Sequence, residues 1–71
     1  MKIEEMIENN FTYHTPKQGQ PERYARIRGE AKQLASLIAA ECPESRERSV
    51  AFTKLDEVVM WANASIARNE K

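Results

Sequence analysis

Cysteine is almost missing from this chain: Cys42 is the only one among 71 residues. That excludes an intramolecular disulfide and any cysteine-cluster zinc site, and it agrees with a reducing cytosol. Histidine is as sparse. His14 stands alone, with no second histidine to share a metal and no nucleophile or orienting carboxylate beside it. It reads as a structural loop residue, as Cys42 before Pro43 reads as a small packing residue. No enzyme active site assembles from these residues, and no metal or cofactor is expected. Charge of one sign is absent too: eleven Lys and Arg against eleven Asp and Glu give a formal net charge of zero. Without a long-range positive field, bulk DNA or RNA is not an expected partner. No apolar run approaches the roughly 20 residues of a membrane span, and Met1-Lys2-Ile3-Glu4-Glu5 lacks the apolar core of a secretory signal. A soluble cytoplasmic protein without a membrane partner is expected.

What is present is periodic and helical. Ile3, Met6 and Ile7 recur at i, i+3 and i+4, which predicts a short amphipathic helix over about 2–9, with acids near its N-terminal end where the dipole favours them. Pro16, Gly19 and Pro21 punctuate a loop over 10–20, and Gln20-Pro21 reads as a helix start. The second helix is expected over about 21–41, with Tyr24, Ile27, Ala31, Leu34 and Ile38 forming one apolar seam. Gly29 interrupts it, marking either a close crossing, room for a ligand, or a tolerated exposed glycine. Cys42-Pro43 ends that helix, and Pro43 or Ser45 begins a third over about 44–69. Phe52, Leu55, Val59, Ala62 and Ile66 repeat the same spacing, so a short connection makes the long helices antiparallel neighbours.

The expected fold is therefore all-α: residues 1–71 as a single helical domain, a two-helix hairpin with a short N-terminal helix. A chain this short buries only about 60% of the surface exposed when unfolded, and Leu37, Val58, Met60 and Trp61 lie off the seams. Both facts point to a helical homo-oligomer.

The candidate chemistry is binding. Asn9-Asn10-Phe11-Thr12-Tyr13-His14-Thr15-Pro16 sets two aromatics among hydrogen-bonding side chains, ahead of a helix in which Arg23, Arg26 and Arg28 flank Tyr24. Rings stack on bases, and guanidiniums fork onto phosphate oxygens. Lys17, Arg23, Arg26, Arg28 and Lys32 outnumber Glu22 and Glu30 locally, and such a patch suits a small anion. The alternative for Phe11 and Tyr13 is that both pack on the long helices. Lys54, Trp61 and Arg68 share one face of the third helix as a ligand wall or subunit contact, while Arg46 and Arg48 read as surface charges paired with Glu44 and Glu47. In a two-fold dimer each interface residue appears twice, which matches a cyclic dinucleotide, and a three-fold contact matches a cyclic trinucleotide.

Several blocks together resemble a known family: Asn10-Phe11-Thr12-Tyr13-His14, then Arg23-Tyr24 with Ile27-Arg28 and Ala31-Lys32, then Pro43 with Ser45-Arg46-Glu47. Val59-Met60-Trp61-Ala62-Asn63-Ala64 and Ile66-Ala67-Arg68-Asn69 complete the set. They are similar to the phage anti-CBASS cyclic-nucleotide sponge proteins. The resemblance implies a hexamer in the bacterial host cytoplasm that captures cyclic oligonucleotides without cleaving them, so that the CBASS effector stays off. It further implies a cyclic dinucleotide site between two subunits, with Tyr13 or Phe11 as the stacking ring and Arg26, then Arg23 or Arg28, on phosphate. A separate cyclic trinucleotide pocket among three subunits falls to Arg68 and Lys32. The competing expectation is a helical protein-interaction or structural module with no nucleotide ligand, docking through Trp61 and Leu37.

Overall fold

The computed structural model describes residues 1–70, which form three helices and no strand. They are α1 (Ile3–Asn10), α2 (Gln20–Glu41) and α3 (Arg46–Asn69). Each boundary has a local cause. Glu4 and Glu5 occupy the first turn of α1, where carboxylates meet the positive end of the dipole. At the start of α2, Gly19 takes a positive φ of 86°, a conformation glycine adopts without steric cost. Pro21 follows in the first turn, where its missing N–H is not needed.

The other end of α2 is set by Cys42, whose extended backbone is what the following proline demands. The third helix then starts at Arg46, later than the expected residue 44, because Ser45 is its cap. The Ser45 Oγ accepts from the Arg48 backbone N–H at 3.1 Å, which satisfies one of the unpaired donors of the first turn. Arg48 departs from its expected pairing with Glu44 and Glu47. Its guanidinium donates to the carbonyls of Cys42 at 3.3 Å and Ala39 at 3.5 Å and lies 5.9 Å from the Phe52 ring centre. A cation near the last carbonyls of α2 offsets the negative end of that helix.

The two long helices pack as a hairpin along their seams. Tyr24, Ile27, Ala31 and Ile38 on α2 are half-buried, as are Phe52, Leu55, Val59 and Ala62 on α3. Burial of this seam is thin. Among the described residues Ile66 alone of the apolar side chains is buried, at 8% exposure, and Leu34 stays exposed. The molecule measures 45 × 27 × 15 Å with a radius of gyration of 15.5 Å, against about 11 Å for a compact domain of this length. A layer one helix thick cannot enclose a core, so Leu37, Val58, Met60 and Trp61 remain on the surface, Trp61 at 66% exposure. Gly29 is exposed, and a Cβ there would meet nothing within 4 Å, which makes it a tolerated surface glycine within the single chain.

Polar bonds fasten the ends of the hairpin. Asn9 Nδ2 donates to the Arg68 carbonyl at 3.0 Å, tying α1 to the last turn of α3. The His14 Nε2 lies 2.6 Å from the Asn9 carbonyl, and because a carbonyl only accepts, the proton sits on Nε2.

Candidate functional site

The loop between α1 and α2 projects its rings outward. Phe11 and Tyr13 are 81% and 80% exposed, so neither is buried against the long helices and both rings are accessible. Tyr13 lines a hollow of about 220 Å3 with His14, Thr15, Lys17, Gln20 and Glu70. Gln20, at the base of this hollow, is 4% exposed. It accepts from the Lys17 backbone N–H at 2.8 Å and donates through Nε2 to Glu70 Oε1 at 2.9 Å. The second Glu70 oxygen accepts from Arg23 Nη1 at 2.6 Å. The Gln20 amide, then Arg23, hold the Glu70 carboxyl below its ordinary value of 4.5, with Lys17 adding to the effect and burial opposing it.

The remaining cations line other surfaces. Arg28 and Arg68 share a hollow of about 460 Å3 with Tyr24, Asn63, Ala64 and Ala67. The Asn63 Oδ1 is buried and has no hydrogen-bond partner among the described residues. Arg26 opens onto an apolar groove of about 330 Å3 with Leu34, Leu55 and Val58. On the other flank of the seam, Arg28 and Lys32 line a groove of about 500 Å3 with Asp56 and Met60. Arg26, Arg28, Lys32 and Arg68 make no ion pair among the described residues, whereas Arg23 pairs with Glu70 and Lys54 with Glu57.

A single chain thus gathers some of the candidate residues and separates others. Tyr13 and Arg23 meet at the same junction through Glu70, and Arg28 joins Arg68. Arg26 and Lys32 sit on opposite flanks, and Phe11 lines none of these hollows. Glu70, Gln20 and Asn63 were not legible as site residues. Gln20-Pro21 signalled only a helix start, and Glu70 reaches its partners across about fifty positions of sequence. Among the described residues no cluster of His, Cys, Asp and Glu is arranged to hold a metal ion, and no helix is long and apolar enough to cross a membrane.

A family model described as Acb2/Tad1, hairpin domain, matches residues 2–67. The chain belongs to the Acb2/Tad1 hairpin family. This is the anti-CBASS sponge family, so the resemblance carried by the loop and helix blocks holds over nearly the whole chain. The Acb2/Tad1 hairpin match takes in the loop rings and Arg23, Arg26 and Arg28, while Arg68 and Glu70 lie just beyond the matched residues. No curated protein and no solved structure matches the chain.

Proposed function

We propose that this protein is a phage immune-evasion protein that binds and sequesters cyclic oligonucleotide second messengers without cleaving them, denying them to the CBASS effector in the host cytoplasm. The observation that carries this reading is the family match over residues 2–67, a span that holds the exposed rings Phe11 and Tyr13 and, on other surfaces of the hairpin, Arg26 and Arg28. Phe11 and Tyr13 are accessible, and stacking of a base on such a ring is worth about 1–3 kcal/mol. Arg26 and Arg28 are uncommitted cations of the kind that fork onto phosphate. Two stacked bases supply at most ~6 kcal/mol, whereas nanomolar binding needs about −12 kcal/mol. The difference must come from phosphate pairing in a pocket enclosed by more than one copy.

Self-association provides that enclosure. Leu37, Val58, Met60 and Trp61 are exposed, with Val58 and Met60 on opposite flanks, more apolar surface than so thin a hairpin leaves in water, and covering it with further copies brings their rings and arginines together. We assign cyclic dinucleotides such as cyclic GMP-AMP to a two-subunit site using Tyr13 or Phe11 with Arg26, Arg23 or Arg28. Cyclic trinucleotides go to a three-subunit pocket using Arg68 and Lys32, within a hexamer. Calorimetric titration with cyclic GMP-AMP tests the proposal. Micromolar protein that releases no heat of binding removes it, and recovery of a cleaved ligand replaces sequestration with catalysis.

The exposed Trp61 indole favours a second reading, a docking module for another protein without a nucleotide ligand. In that case Tyr13→Ala and Arg26→Ala leave function intact while Trp61→Ala abolishes it.

A further inference from the structure

The Arg23 guanidinium is already bonded to an anion belonging to the chain. Glu70 Oε2 lies 2.6 Å from Arg23 Nη1 and Oε1 lies 2.9 Å from Gln20 Nε2, so both carboxylate oxygens are held by donors. Lys17 lends a further favourable charge. A phosphodiester presents the same recognition problem as a carboxylate, two oxygens sharing one negative charge, and arginine accommodates either. The seat is open: the Arg23 and Glu70 side chains are 43% and 40% exposed, and Glu70 borders the same hollow as Tyr13 and Lys17. Glu70 is also the residue that caps α3, in extended backbone. Its side chain can swing away without unwinding a helical turn.

We infer that Glu70 is a resident stand-in for phosphate: its carboxylate fills an anion seat made by Arg23, Gln20 and Lys17, and a phosphodiester entering beside Tyr13 displaces it. This rests on the cyclic-nucleotide reading above and adds to it the residue that limits how tightly the Arg23 end of the site holds its ligand. The apparent affinity falls by the fraction of molecules in which the seat is vacant. A partly exposed ion pair is weak, so the competition is expected to cost roughly two- to five-fold in affinity. A purely structural Glu70, needed to hold Arg23 and the loop in place, has the opposite sign, since its loss then weakens binding.

Calorimetry with cyclic GMP-AMP on the full chain, its Glu70→Gln and Glu70→Asp variants, and Arg23→Ala with and without Glu70→Gln, separates the two. Thermal melts establish that each variant is folded. Glu70→Gln retains an oxygen for the Gln20 amide but drops the charge, and it is expected to bind roughly two- to five-fold more tightly. That gain disappears in the Arg23→Ala background. Glu70→Asp keeps the charge but shortens the reach, and its tighter binding decides the matter if Glu70→Gln does not fold. Unchanged or weaker binding by a folded Glu70 variant, alongside measurable binding by the unaltered chain, overturns this inference and leaves sequestration standing. Binding by none of them overturns both.

Discussion

Arg26 and Arg28 stand two positions apart on α2 yet open onto opposite flanks of the α2–α3 seam, Arg26 beside Leu34 and Val58, Arg28 beside Lys32 and Met60. Two residues of an α-helix turn the chain through about 200°, so one copy of the protein cannot close both guanidiniums on one phosphate. A single phosphate touched by both would have to lie between copies.

Arg28 and Arg68, by contrast, border one hollow, and residues sharing a ligand couple energetically. In a double-mutant cycle read by calorimetry with a cyclic trinucleotide, Arg28→Ala and Arg68→Ala are expected to deviate from additivity by at least about 0.5 kcal/mol. Arg26→Ala combined with Arg68→Ala should add. Additive losses for Arg28 and Arg68 count against a common pocket.

Assembly is tested at Val58, which is exposed on the apolar groove of the hairpin. Val58→Glu places a charge where a neighbouring copy is proposed to pack, at little cost to the isolated hairpin, because surface substitutions usually change stability by about 0.5 kcal/mol or less. Light scattering should show a smaller assembly with unchanged helical content. An unchanged mass removes this face from the interface.

Hairpin stability rests on few groups. Ile66 is the one buried apolar side chain among the described residues, so Ile66→Ala is expected to cost about 2 kcal/mol, near the low end for such truncations because neighbouring side chains can close in. Ser45→Ala removes the α3 cap and should cost about 1 kcal/mol. Denaturant titrations followed by circular dichroism measure both.

Glu70 makes stability depend on pH. Its folded pKa lies below the ordinary 4.5, chiefly through the Gln20 amide and then Arg23. A lowered folded value means that the stabilisation is complete wherever the unfolded carboxylate is also ionised, and is lost as pH falls through the folded value. The melting-temperature advantage of the unaltered chain over Glu70→Gln should hold from about pH 7 to about pH 5 and vanish in more acidic solution. An advantage that persists in strong acid refutes the assignment.

The apolar spacings make the hairpin legible. Tyr24 through Ile38 and Phe52 through Ile66 each return at alternating steps of three and four, and only helices paired along those stripes bury them together. The loop rings and the α2 arginines were legible as residue types for the same reason that stacking and phosphate pairing are: the chemistry belongs to the side chain itself. The role of Arg48 is not legible in the sequence, because the acids near it in the chain suggest ion pairs while the helix turn aims its guanidinium back at the carbonyls of Ala39 and Cys42.

The sequence by itself determined an all-helical hairpin of the Acb2/Tad1 family, since periodicity, capping and turn chemistry act over a few residues. Only the tertiary structure decided which cation is free and which is engaged. Arg23, Arg26 and Arg28 look alike along the chain, but Arg23 meets Glu70 across 47 positions, and the helical rotation sends Arg26 and Arg28 to different flanks. Contacts between segments far apart in sequence, and directions around a helix axis, are properties of the folded shape.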